Sequence, residues 1–213
     1  MEKIYRWWVL IHWVIGNGES RKHIDINKLE GITYGCNAIY RDYFTDYVFC
    51  KDKGISNEVT FSGIWKDRRV YFQHRWRNDS ESREAYNRIC YWDQEYPDCG
   101  TAALRTAASY AVKYLNDEWK YPEGASVHMI GFDYDTSGKM NNIYKGTNNY
   151  LMKENPRTWP SKQFLETFEM YPQLEFVQYG NWAKLLDRYE NVRLAWYFVL
   201  VMVRVEKTLT YIN

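Results

Sequence analysis

The sequence predicts an α+β domain built on an antiparallel sheet, and three stretches predict it. Ile4 to Ile15 is dense in Trp, Val and Ile and is followed by Gly16-Asn17-Gly18, a strand meeting a turn. Glu58 to Trp65 and Val70 to Trp76 flank a polar turn at Lys66 to Arg69, the pattern of a β-hairpin. Thr101 to Glu118 is rich in Ala and Leu and holds no breaker, so it reads as the main helix.

In chain order, the amino-terminal strand is expected to pair across the Gly16-Asn17-Gly18 turn with a second strand near His23-Ile24-Asp25-Ile26. Tyr40, Tyr43, Phe44 and Tyr47 recur at helical spacing, which predicts a helix between Tyr34 and Cys50. After the central hairpin, Asp79-Ser80-Glu81-Ser82 offers capping side chains for a helix running to Trp92. Asp98 is placed to cap the main helix, its charge favourable at the positive end of the helix dipole. The small residues Ala102, Ala103, Ala107, Ala108 and Ala111 would let a neighbouring element approach closely. Val127 to Tyr134 predicts a strand, Asp135-Thr136-Ser137-Gly138 a turn, and the stretch near Ile143 another strand. Residues 148–160 read as a loop, after which Ser161 caps a helix carrying Phe164, Leu165 and Phe168. Asn181 to Tyr189 reads as a helix, and Val201, Val203 and Val205 alternate with Arg204 and Glu206 as a carboxyl-terminal strand. The expected architecture is one α+β domain, residues 1–213. An amino-terminal strand pair, the central hairpin and the carboxyl-terminal strand are packed by helices near 80–92 and 100–118.

Hydrophobic residues at 46% and charged residues at 26% are ordinary globular values, so a packed core is expected. The aromatic share, 18%, is high, with ten Trp, 20 Tyr and nine Phe. Rings in such number fill a core or furnish sticky surfaces. A net charge of +1 excludes a global field drawing the chain to nucleic acid or membrane, so any such affinity has to come from a local patch. Cys36, Cys50, Cys90 and Cys99 lack paired C-x-x-C spacing, which argues against a zinc knuckle. No signal peptide is visible at Met1-Glu2-Lys3, and the longest apolar run, Leu194 to Val203, is ten residues, too short to cross a bilayer. A cytoplasmic protein with free thiols and no membrane contact is expected.

One local patch stands out. From Lys66 to Arg77 there are five basic residues, Lys66, Arg68, Arg69, Arg75 and Arg77, against the single acid Asp67. On a strand, Tyr71, Gln73 and Arg75 share one face while Val70, Phe72, His74 and Trp76 share the other. Guanidinium groups can grip phosphates and Tyr71 could stack on a base, the two features that a single-stranded nucleic acid presents. The same pattern also describes an ordinary ribbon with rings inward and arginines in water, neutralised by Glu81 and Glu84. Asp133 and Asp135 fall on one side of an extended segment, but the remaining ligands of a calcium loop are missing, so no metal site is assigned.

The run Gln94-Glu95-Tyr96-Pro97-Asp98-Cys99-Gly100-Thr101-Ala102-Ala103-Leu104 resembles the nucleophile segment of papain-like cysteine peptidases of the bacteriocin-processing type. The resemblance implies a Cys99 nucleophile at a helix start and a Gln94 that helps hold the oxyanion, although the spacing is one residue short. His128 is the available downstream partner, and its separation of 29 residues from Cys99 is nearer to transglutaminase-like enzymes than to peptidases. Tyr96-Pro97-Asp98-Cys99-Gly100 is also similar to a signature of Oblin, the protein encoded by Obelisk RNAs, except that Glu95 replaces a Gly. That likeness implies association with a small circular RNA. Tyr110-Ala111-Val112-Lys113 looks like the tyrosine motif of rolling-circle replication initiators, whose metal-holding His-x-His pair this chain lacks.

The leading expectation is a non-enzymatic protein of a virus or mobile element that binds single-stranded nucleic acid or RNA. Lys66, Arg68, Arg69, Tyr71, Arg75 and Arg77 would form its contact surface. The alternatives are a Cys99/His128 hydrolase assisted by Gln94, and a protein-interaction module or inhibitor presenting exposed Trp and Tyr. No cofactor is expected, and the sequence leaves open whether the chain is an enzyme.

Overall fold

Every neighbouring pair in the main sheet runs parallel, which overturns the antiparallel arrangement expected from the sequence. The computed structural model describes residues 11–73, 85, 88–92, 96–115, 118–120, 125–134, 142–150, 159–179 and 188–195. In chain order its strands are β1 (Ile11–Ile15), β2 (Ile32–Cys36), β3 (Tyr47–Cys50), β4 (Arg69–Gln73), β5 (Cys90–Trp92), β6 (Lys113–Leu115), β7 (Glu118–Lys120), β8 (Ser126–Ile130), β9 (Glu175–Tyr179) and β10 (Val192–Ala195). The helices are α1 (Lys53–Ser62), α2 (Cys99–Ala111) and α3 (Lys162–Met170). Eight strands form the main sheet in the order β10-β9-β8-β1-β2-β3-β4-β5, while β6 and β7 form a small antiparallel pair. Strands are therefore added outward from β1, first on one side and then on the other. The order reverses between β1 and β8.

The described connections of the first half lie on one face and α2 and α3 on the other, while residues 142–150, between β8 and α3, return to the first face, where Tyr144 packs beside α1. On the first face, 3-10 turns at Glu19–His23, Ile26–Lys28 and Asn37–Arg41 join α1. There Trp13, Ile15, Ile130 and Val177 pack with Ile26 and Ile39. Val48, Cys50, Val70 and Phe72 pack with Ile55, Val59 and Trp65. On the second face α2 lies across β1, β2, β3 and β8, with α3 beside it. Val14, Tyr34, Phe49, Val127, Met129 and Phe176 meet the alanine side of α2 there. Ala103, Ala107, Ala108 and Ala111 are fully enclosed, so short side chains bring the helix down onto the sheet. Asp98 accepts the Thr101 N–H at 2.6 Å and Ser161 accepts that of Phe164 at 3.1 Å, capping α2 and α3 as their positions imply. These features define an open α/β sheet wound on both faces.

A sheet covered on both sides needs apolar residues at consecutive positions. Trp13, Val14 and Ile15 are all at most 4% exposed, so two-residue alternation is lost and strand direction cannot be read from it. Gly16-Asn17-Gly18 is not a hairpin turn, because the chain continues through 3-10 turns to reach β2 in parallel. The expected strand at His23–Ile26 falls within those turns. The Tyr34–Cys50 helix is instead the end of β2, a 3-10 turn and β3. The expected hairpin does not exist: Glu58 to Ser62 ends α1, Ile64–Lys66 is a 3-10 turn, and β4 pairs in parallel with β3 and β5. The helix expected to reach Trp92 has given way to β5 by Cys90, and the main helix ends at Ala111 rather than Glu118. Near Ile143 a single antiparallel bridge, Gly18 with Asn142, replaces the expected strand. The strand proposed at Val201 to Val205 lies outside the described residues, as do residues 181–187 of the expected helix. Among the described residues, no helix is long and apolar enough to cross a membrane.

Candidate functional site

At the amino ends of β2, β3 and β4 the surface opens into a groove of about 650 Å³. Local chain geometry builds its basic wall. Gly63, at φ +73°, ends α1 in the left-handed conformation that glycine adopts at least cost. The following 3-10 turn, Ile64–Lys66, buries Trp65 and delivers Lys66, Asp67, Arg68 and Arg69 to the groove. Arg88 joins them from across β4, its Nη1 donating to the Lys66 carbonyl at 3.3 Å. Phe44, Tyr47 and Trp65 supply the rings.

Cations and rings are interleaved. The Arg68 guanidinium stands 4.7 Å from the Phe44 ring centroid and donates to the Tyr43 carbonyl at 3.0 Å. Partial burial lowers its pKa from the ordinary arginine value. Arg69 is exposed, 5.7 Å over the Tyr47 ring, with Nη1 3.4 Å from the Tyr47 hydroxyl. The Lys66 ammonium is 5.3 Å from the Trp65 ring. None of Lys66, Arg68 and Arg69 makes an ion pair with a described carboxylate. Asp46, one of the two acids lining the groove, is engaged elsewhere: its Oδ2 accepts the Thr33 N–H at 2.8 Å and the Thr33 hydroxyl at 2.7 Å. The groove thus sets four basic residues against two acids, with Phe44 as its exposed ring, since Trp65 is buried and Tyr47 is stacked on Tyr34 at 4.7 Å.

Tyr71 takes a different position from the one expected of a base-stacking residue. Its ring is stacked on Phe49 at 4.8 Å, and its hydroxyl is 3.2 Å from that of Tyr110. Arg75 and Arg77 lie outside the described residues, as does Gln94.

The two members of the Cys/His pair are held apart by the sheet. Cys99 belongs to the core beneath α2. His128 follows the register of Ile130 on the opposite face, where its ring meets Trp13 and Tyr179. Hydrogen bonding to Cys36 and then burial push the Cys99 thiol well up, so the helix start does not yield a thiolate. Burial, with Arg193 nearby, takes His128 down to about 4. Its two nitrogens are occupied by the Tyr179 hydroxyl and the Ser126 hydroxyl, each at 2.9 Å. None of the four cysteines is in a disulfide. Among the described residues no cluster of His, Cys, Asp and Glu could hold a metal. Among the described residues, the exposed rings that an interaction module would use, Phe44, Phe61, Tyr110 and Trp159, stand on separate segments.

Sequence reasoning missed the carboxyl edge of the sheet, where β1 and β8 end side by side. There the Gly16 N–H donates to the Ile130 carbonyl and the Gly18 N–H to the Gly131 carbonyl, both at 2.8 Å. The fit is tight, since a Cβ on Gly16 would stand 2.3 Å from the Gly131 oxygen. Asn17 donates to the Cys36 carbonyl at 2.9 Å, and Ser20 N–H donates to Asp133 Oδ2 at 2.8 Å. Beneath this turn Arg21 is only 1% exposed. Comparisons of the chain with protein-family models, with curated proteins and with solved structures found no match.

Proposed function

We propose that the chain binds single-stranded nucleic acid in the groove at the amino ends of β2, β3 and β4, without a chemical step of its own. One observation carries this reading: Lys66, Arg68 and Arg69 converge beside Phe44, Tyr47 and Trp65 with no ion pair to a described carboxylate. Four basic residues against Asp46 and Asp67 leave the lining net positive, and cations in such a lining can release counterions from a phosphate backbone. The exposed Phe44 ring beside them suits an unstacked base, which a duplex does not offer. Arg68 is partly spent on the Tyr43 carbonyl, so Lys66 and Arg69 are the sensitive positions.

The test is titration of a labelled single-stranded oligonucleotide, RNA and DNA in parallel, over a range of salt. Lys66→Ala with Arg69→Ala should weaken binding, and should reduce the slope of log affinity against log salt by roughly 1.4 if each neutralises one phosphate. Duplex of the same length should bind less tightly. Affinity and slope unchanged in the double variant would remove the groove from consideration.

A further inference from the structure

Arg21 is among the largest fully buried side chains of the protein. Its guanidinium lies between two rings, 5.6 Å from the centroid of Tyr43 and 5.5 Å from that of Tyr144. Nη2 donates to the Tyr144 hydroxyl at 3.0 Å and reaches Asn17 Oδ1 at 3.5 Å. Nε and Nη1 are buried and have no hydrogen-bond acceptor. Among the described residues no carboxylate pairs with the group directly. Asp42 lies near the Tyr144 hydroxyl, which accepts from Arg21, and Asp133 accepts the Ser20 N–H.

A buried cation with unmet donors is costly, and proteins ordinarily pair it. Location suggests what completes it. Arg21 runs directly beneath the two strand ends, its Cδ 3.1 Å from where a Cβ on Gly131 would stand. That is the point where strand order reverses between β1 and β8. In open α/β sheets ligands bind outside the carboxyl ends of the strands at such a reversal. Two independent observations, an unsatisfied buried guanidinium and the reversal of the sheet, therefore meet at one place.

We infer that this edge is a second binding site, for a small molecule carrying a carboxylate or phosphate group whose oxygens accept from Nε and Nη1 of Arg21. Tyr43 and Tyr144 form the walls of the anion subsite, and the Gly16-Asn17-Gly18 turn roofs it. Both donors are enclosed in the unliganded chain, so entry of the anion requires a local rearrangement of the side chains around them. This site lies at the carboxyl ends of the strands and is independent of the basic groove at their amino ends.

The experiment follows the Arg21 Nε–H resonance by nitrogen-15 NMR, assigned by its disappearance in Arg21→Lys. It is done in the Lys66→Ala, Arg69→Ala chain, so that the groove does not contribute. Inorganic phosphate, acetate and adenosine monophosphate are added separately. A saturable shift of that resonance with phosphate or the nucleotide, and not acetate, supports the site and assigns the phosphate class. A shift with acetate as well assigns the broader carboxylate class. Tyr144→Phe, which keeps the wall and removes the hydroxyl, serves as a second variant if Arg21→Lys does not fold, and should alter the affinity while retaining the response. No saturable shift with any of the three would overturn the inference and leave Arg21 a purely structural cation. Since the groove is already disabled, failure here says nothing about nucleic-acid binding.

Discussion

His12 and His128 are both held neutral by enclosure. His12 Nδ1 is 2.8 Å from the Tyr34 hydroxyl while its Nε2 has no partner, and burial takes the ring down to about 4 from 6.5. His128 falls to the same value. As pH drops through the window from 6.5 to about 4, the unfolded chain takes up protons that the folded chain refuses. Stability must therefore fall across that window, by up to roughly 1.4 kcal/mol per pH unit for each ring. Urea midpoints measured across it should decline, and less steeply in His128→Gln. A flat profile would mean that both rings already carry a proton when folded. Residue type made some of this scale legible. Lys66, Arg68 and Arg69 announced a cationic surface, and the structure gathers them in one groove. Arg21 did not, because nothing in Glu19-Ser20-Arg21-Lys22-His23 distinguishes the one basic residue that the fold encloses from its exposed neighbours. Nor could spacing tell that Cys99 and His128 face opposite sides, a matter of strand parity and of where α2 lands.

At the scale of elements, α2 is the best-read part of the chain. Asp98 and the alanine series marked its start and its packing side. Leu104 is fully enclosed in the core beneath it, so Leu104→Ala should cost about 2–5 kcal/mol, the spread reflecting how far the site collapses. Chemical denaturation gives the value directly, and a cost below about 1 kcal/mol would contradict tight packing there. The strands were located better than they were oriented. β1 falls inside a stretch read as extended, and β4 and β8 do so except for their first residues, Arg69 and Ser126, but a β-rich segment carries no mark of which way its neighbour runs. That is decided by the connection: the passage from β3 to β4 is α1 and a 3-10 turn, long enough to carry the chain back for a parallel entry. Helical spacing of Tyr40, Tyr43 and Tyr47 misled because the first of them lies in a 3-10 turn and the last begins a strand.

Across the whole molecule, the two proposed sites occupy opposite edges of one sheet. The basic groove lies where the strands begin, and the buried arginine where two of them end. β1 links them, since its neighbour β2 begins beside the groove at Ile32 and its own carboxyl end bears the glycine turn. The amides of Gly16 and Gly18 are bonded to backbone oxygens of Ile130 and Gly131, which extends the ladder beyond the last strand residue. A connection of this kind would ordinarily be among the first to take up deuterium from solvent. Here those two amides should exchange on the timescale of global opening, alongside Val14 and Met129 at the centre of the sheet. A turn so anchored acts as a fixed abutment, and any adjustment to an incoming molecule falls to the side chains beneath it.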